Sequence, residues 1–202
     1  MIRNLFRTAI LGAAALFATV SGPLAQAQQG DEGKRLHAFF ADEWERGLRE
    51  NPESASFEGD RRYNDRWTDN SLSAIADREK ADRDALAQLK RFDRSRLDPA
   101  DQLNYDTFLW LQQNTVLRQK FREYLQPIGH QGGVQNADGL VEGLAFNQVR
   151  DYRDWLARMR ALPDAIDQTI ALMREGVKAG NVPPRVLMQR VPAQIAAQIV
   201  DD

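Results

Sequence analysis

The stretch Asp31-Glu32-Gly33-Lys34-Arg35-Leu36-His37-Ala38-Phe39-Phe40-Ala41-Asp42-Glu43-Trp44-Glu45-Arg46-Gly47-Leu48-Arg49-Glu50 sets Leu36, Phe39, Phe40, Trp44 and Leu48 at intervals of three and four. Apolar side chains at that interval fall on one side of an α-helix. Asn51-Pro52 ends the run, because a residue before proline is pushed out of helical backbone geometry. A helix with one buried face is predicted over Asp31–Glu50, and the rest of the chain reads in the same period.

A polar loop over residues 58–70 separates this helix from a second, predicted from near Ser71 to near Phe92, with Leu72, Ile75, Leu86 and Leu89 directed inward. Asp98 is a good N-cap for a third helix: Pro99 fits the first helical position and Asp101 suits the positive end of the dipole. That helix carries Leu103, Phe108 and Leu111 towards Phe121. Residues 126–143 hold five of the chain's 13 glycines and read as an irregular loop. Asn147 then caps a segment with Val149, Tyr152, Trp155, Met159 and Leu162 on one stripe. Pro163 opens a helix whose stripe is Ile166, Ile170, Met173 and Val177, with Gly180 suited to a left-handed stop. A short helix to Arg190 follows Pro183-Pro184, and Pro192 begins a last one through Ile195 and Ile199. No run alternates as a strand would. The expected fold class is all-α, an irregular array of about six to seven helices with a long polar loop (58–70) and a Gly-rich loop (126–143).

Composition narrows the function. The 202 residues include 27 Lys+Arg and 29 Asp+Glu, and this near balance removes the electrostatic case for a nucleic-acid binder. With no cysteine, the chain has no disulfide, thiol nucleophile, thiolate zinc site or iron–sulfur cluster. At the start, Arg3 and Arg7 precede an apolar stretch from Thr8 to Val20, and Ala25-Gln26-Ala27 has the small-x-small form of a cleavage site. Residues 1–27 read as a secretory signal peptide cut after Ala27, the apolar stretch falling short of the roughly 20 residues that span hydrocarbon. The mature chain is then expected to be periplasmic or secreted and free of the membrane.

The search for chemistry returns mostly negatives. The chain has two histidines and lacks the paired His one helical turn apart of a helical zinc site. His37 sits at the border of a helix face. His130, in Ile128-Gly129-His130-Gln131-Gly132-Gly133, is a better site candidate because glycines let backbone approach a ligand closely. No serine-hydrolase elbow and no phosphate loop occurs. The mixed-sign run Asp77-Arg78-Glu79-Lys80-Ala81-Asp82-Arg83-Asp84 is a solvated helix face. The loop Gly59–Asp69 differs, setting Arg61, Arg62, Tyr63, Arg66 and Trp67 among Asp60, Asp65 and Asp69. Arginines there can grip a carboxylate with two hydrogen bonds, or tie the loop to the helices as an ion-pair network. No catalytic and no metal-ligating residue emerges. The candidates for substrate contact are Asp60, Arg61, Arg62, Tyr63, His130 and Gln131.

Several of these residues belong to longer motifs. Trp44 with Leu48-Arg49-Glu50-Asn51-Pro52-Glu53-Ser54-Ala55, then Gly59-Asp60-Arg61-Arg62-Tyr63-Asn64-Asp65 and Asp69-Asn70-Ser71-Leu72, come first. Asp101-Gln102-Leu103-Asn104-Tyr105-Asp106, Pro127-Ile128 with Gln131-Gly132-Gly133-Val134-Gln135, and Asp151-Tyr152 with Trp155 and Arg158 follow. Gln168 to Gly176 and Pro183-Pro184-Arg185-Val186 complete the series, which resembles the bacterial domain-of-unknown-function 885 family over roughly residues 32 to 200. The resemblance implies an exported, mostly helical protein similar to zinc metallopeptidases of the gluzincin kind, with a His-Glu zinc motif in a C-terminal half. No His-Glu pair occurs here, so no ligand, base or stabiliser carries over, and the chain itself is expected to hold no cofactor, zinc being implied for the full-length family.

The expected organisation is therefore a signal peptide followed by residues 28–202 as the N-terminal helical portion of a larger, truncated peptidase-like domain. The short last helix, with two acids after it and no glycine stop, is read the same way. Such a portion would be inactive alone and would meet a peptide substrate through the missing half. The other reading is an autonomous periplasmic helical module that binds a peptide or a protein.

Overall fold

The computed structural model describes residues 31–199. The signal segment, its cut after Ala27 and the acids at Asp201 and Asp202 lie outside the described residues. The architecture is an all-α array: α1 (Asp31–Glu50), α2 (Pro52–Phe57), α3 (Leu72–Leu89), α4 (Pro99–Arg118), α5 (Val149–Arg160), α6 (Leu162–Ala179), α7 (Arg185–Met188) and α8 (Val191–Ala196). Among the described residues no strand forms, and a single Gly129–Gly132 bridge closes a tight turn.

The first apolar face packs as its spacing dictates. Leu36 and Phe39 of α1 meet Ala85 and Leu89 of α3 and Tyr105 and Phe108 of α4, with Phe92 and Leu97 closing the core at the α3–α4 turn. Phe39 stands edge-on to Phe108 at 5.8 Å and tilted to Phe92 at 5.7 Å, the offset arrangements that aromatic quadrupoles favour. The local punctuation also holds. The Ser71 side chain accepts from the Ala74 amide and the Asp98 carboxylate from the Asp101 amide, and Gly180 ends α6 with φ 67°.

The differences from expectation lie where long-range packing overrides pattern. Asn51-Pro52 ends α1 as its sequence requires, and Pro52 also opens a short unforeseen helix, α2, because proline suits the first turn of a helix. The polar loop contains a single 3-10 turn, Arg61–Tyr63, and the Gly-rich loop a longer one, Val134–Gly143, kinked at Asn136. The second helix stops at Leu89, with Phe92 buried in the turn beyond. Leu72 and Leu103 face water. The residue capping α5 is Gln148, one later than expected, since the Asp151 carboxylate reaches back to both the Asn147 and Gln148 amides.

The two later helices invert their stripes. On α5 the buried residues are Asp151 and Arg158, while Val149, Tyr152 and Met159 of the apolar stripe lie outward, with Leu156 beside them. On α6 the buried face is Ala165, Thr169, Leu172 and Gly176, and Ile166, Ile170 and Val177 are exposed. Close approach explains the second case. A Cβ on Gly176 would lie 2.7 Å from the Leu125 carbonyl oxygen and 2.8 Å from that of Asn181, so the small-residue face is the one that can dock.

Candidate functional site

The polar loop is organised from beneath by Arg158, which is fully buried. Its Nη2 donates to the Tyr63 carbonyl at 2.7 Å, its Nε to the Arg66 carbonyl at 2.9 Å, and both terminal nitrogens reach Ser56 Oγ at 3.1 Å. The Trp67 indole N–H donates to the Arg158 carbonyl at 2.7 Å, and the guanidinium lies 5.5 Å from the indole ring. Burial pushes the Arg158 guanidinium down from its ordinary value, with Glu53 and Asp65 pulling the other way. It stays cationic at neutral pH all the same, because its intrinsic value is so high. A guanidinium carries five N–H donors in a planar fork, so one side chain can gather carbonyls from separate turns.

The four loop candidates fall around this anchor. Asp60 caps the 3-10 turn, accepting from the Arg62 amide at 3.0 Å. Arg62 donates through Nε to Asp60 Oδ2 at 2.9 Å, and its Nη1 lies 2.8 Å from Glu45 Oε2 on α1. Arg61 pairs with the buried carboxylate of Asp151 on α5. Tyr63 gives its carbonyl to Arg158, while its ring lies 5.4 Å from the Arg62 guanidinium and 5.9 Å from that of Arg66. The loop's far end is tied as well: the Thr68 amide donates to Glu53 at 3.0 Å and the Asn70 amide to Gln168 of α6 at 2.7 Å. The structure thus brings Asp60, Arg61, Arg62 and Tyr63 into one turn, tied by ion pairs of Arg62 to α1 and of Arg61 to α5, while hydrogen bonds further along tie the loop to α2 and α6.

His130 and Gln131 sit elsewhere, in the Gly129–Gly132 turn. The His130 carbonyl accepts from Gln194 of α8 at 2.9 Å, and buried Gln135 donates to the Gly129 carbonyl at 2.8 Å. Gln131 is exposed at the tip. Among the described residues no hydrogen bond or ion pair joins this turn to the Asp60–Tyr63 turn. The donor set does not fit the zinc that the resemblance implies. Among the described residues no group of three or more His, Asp or Glu side chains is placed to hold a metal ion, and His37 Nε2 lies 2.6 Å from Asp101 Oδ1.

Composition and spacing did not single out Asp151 and Arg158 as the loop's anchors. The readable signal was their interval of seven, which puts two charged residues on one side of a helix and an apolar stripe on the other.

The loop's titration sets an expectation. Asp60 is held below the usual carboxylate range by the Arg62 side chain, Asp65 by that of Arg66, and Asp69 by the Ser71 amide. Carboxylates that ionise more readily folded than unfolded add stability above their unfolded values and lose it as pH falls through the folded ones. Melting temperature should therefore stay level from pH 7 to about 5 and drop below about pH 4. Each contribution is modest because water reaches these side chains. A melting series showing its main loss above pH 5 would contradict the assignment.

No curated protein and no solved structure matches the chain. A family model described as "Bacterial protein of unknown function (DUF885)" matches residues 52–202, beginning at Pro52 and so leaving out the Trp44–Asn51 part of the resemblance. With three quarters of its length matched, and the Gly59–Asp65, Asp101–Asp106 and Asp151–Arg158 motifs all inside the match, the chain belongs to this DUF885 family of bacterial proteins.

Proposed function

We propose that the chain is a helical, non-catalytic portion of an exported hydrolase of the zinc-metallopeptidase type, and that it docks on the polypeptide carrying the His-Glu chemistry. The carrying observation is the outward apolar surface of α5 and α6. Val149 and Val177 are 66% and 69% exposed, with Tyr152, Leu156, Met159, Ile166 and Ile170 also in water. Large apolar side chains left in water along two successive helices are what a protein contact surface would use. Among the described residues no helix is long and apolar enough to cross a membrane, so these stripes are read as docking faces. In this reading Asp60, Arg61, Arg62 and Tyr63 hold the frame, and Gln131 beside His130 is the polar contact offered to a peptide. The basic start, apolar stretch and Ala25-Gln26-Ala27 support export.

A second reading, an autonomous peptide-binding module, is favoured by one feature. An apolar cleft of about 200 Å³ lies between Pro127, Ile128, Met173, Val177, Pro183 and Met188, large enough for one apolar side chain.

The test compares the chain with a longer product that continues into downstream coding sequence containing a His-Glu motif. One equivalent of zinc and hydrolysis of a peptide library are expected for the longer product alone. Leu156→Glu with Ile170→Glu should reduce its activity while making the short chain more soluble. Zinc binding with turnover by the short chain, or no change from the two glutamates, would overturn the proposal.

A further inference from the structure

A second feature, remote from the docking face, lies between α1 and α3. The two helices run antiparallel: Arg46 of α1 bonds Asp82 of α3 at 2.9 Å, while Glu32, at the other end of α1, accepts from the Asp93 amide just past α3 at 2.8 Å. Between them lies a groove of about 590 Å³, within the range of small-ligand sites. Its lining residues recur at i, i+3, i+4 and i+7 on both helices, Arg35 to Asp42 on α1 and Asp84 to Arg91 leading out of α3. Small residues, Ala38 on α1 and Ala87 on α3, line the middle of the groove, and the buried rings of Phe39 and Phe92 give it an apolar floor.

The antiparallel arrangement sorts the charges by end. Arg35 and Arg91 share one end of the groove, and Asp42 and Asp84 share the other. The cationic end is preorganised: Glu32 holds Arg35 at 2.5 Å, and the guanidinium lies 5.2 Å from the Phe92 ring. Among the described residues neither the Arg91 guanidinium nor the Asp42 carboxylate has an ion-pair or hydrogen-bond partner. Asp84 pairs with Lys80, an exposed contact for which water competes. From residue 35 to residue 42 the helix rises about 10 Å, the length of an extended chain of about three residues.

We propose that this groove binds a short peptide of about three residues with free termini, its carboxylate between Arg35 and Arg91, its ammonium between Asp42 and Asp84, and its apolar side chains on Phe39 and Phe92. Arg91 sets a second cationic group beside the Glu32-paired Arg35, and a carboxylate arriving there can take both arginines as charge-assisted donors. The same holds with reversed sign at the aspartate end. A fully hydrophobic peptide with blocked ends gains only the floor. The inference does not depend on the docking face or on any zinc chemistry.

Isothermal titration of the full-length chain with the tripeptide Leu-Ala-Leu tests it, alongside the N-acetylated and C-amidated forms. Saturable binding of the free peptide is expected, with blocking of either terminus weakening it about fivefold or more. Arg91→Gln should weaken the free peptide similarly yet leave the amidated form unchanged, and Asp42→Asn should do the same for the acetylated form. Both side chains are exposed, so the variants keep the fold, which circular dichroism verifies. Absence of saturation up to about 10 mM, equal affinity for free and blocked peptides, or indifference to both substitutions would overturn the proposal.

Discussion

Arg158→Met is expected to lower the unfolding free energy by about 3–5 kcal/mol, because a fully buried guanidinium is the donor to three separate acceptors, each worth about 1–3 kcal/mol when left without it. Methionine fills most of the volume but offers no donor, so the Tyr63 and Arg66 carbonyls and Ser56 Oγ lose the contacts made at 2.7–3.1 Å. Each stranded buried acceptor costs on the order of 1–3 kcal/mol. For a chain of this length a loss of that size moves the melting point by about 10 °C. Arg158→Lys should recover little, since an ammonium is a point donor that cannot reach two turns at once. Urea denaturation gives the number. A loss below about 1 kcal/mol would show that water takes over the carbonyls and that Arg158 is no anchor.

Asp151→Ala should follow with a loss of about 2–4 kcal/mol, made of two parts. One is the cap: the carboxylate accepts from the Asn147 amide at 2.9 Å and the Gln148 amide at 3.0 Å, and losing such a cap costs about 0.5–2 kcal/mol. The other is Arg61, whose guanidinium keeps no buried counter-charge once the carboxylate is gone. Asp151→Asn separates them, because the amide oxygen can still cap but cannot neutralise Arg61. The double variant with Arg158→Met should lose less than the sum of the singles, as both side chains hold the same loop against the same helix. Full additivity would show that the loop is not one unit.

How far these features could be read in advance depended on how local their causes are. The α1 face at Leu36 and Phe39 was legible because its period is a property of one helix, and the caps at Ser71, Asp98 and Gly180 because each acts within a few residues. The stripe of α6 misled because its small-residue face is the one that docks closely, and the stripe of α5 for a different reason. Periodicity marks a face as apolar but does not say which face meets the protein when a polar one has backbone carbonyls to satisfy. Arg158 turns inward because Tyr63 and Arg66, more than 90 positions earlier, present carbonyls there. The charged loop was visible as a loop, and Arg62 forms ion pairs there with Asp60 and Glu45. The α1–α3 groove was not visible at all, because its segregated ends exist only once the two helices lie antiparallel.

The reach of Arg158 also sets an order of events along the chain. The aromatic cluster draws on residues 36 to 108 and can close early. The loop between α2 and α3 cannot, since the side chain that gathers its carbonyls is made 92 to 102 positions after the groups it binds. A chain interrupted anywhere between residues 108 and 158 would keep its aromatic nucleus and leave three arginines, Arg61, Arg62 and Arg66, on an unpinned segment. Trypsin cutting at those bonds then becomes a clock for the second half: cleavage slows when α5 docks, and its rate reads how often the finished fold lets that helix go.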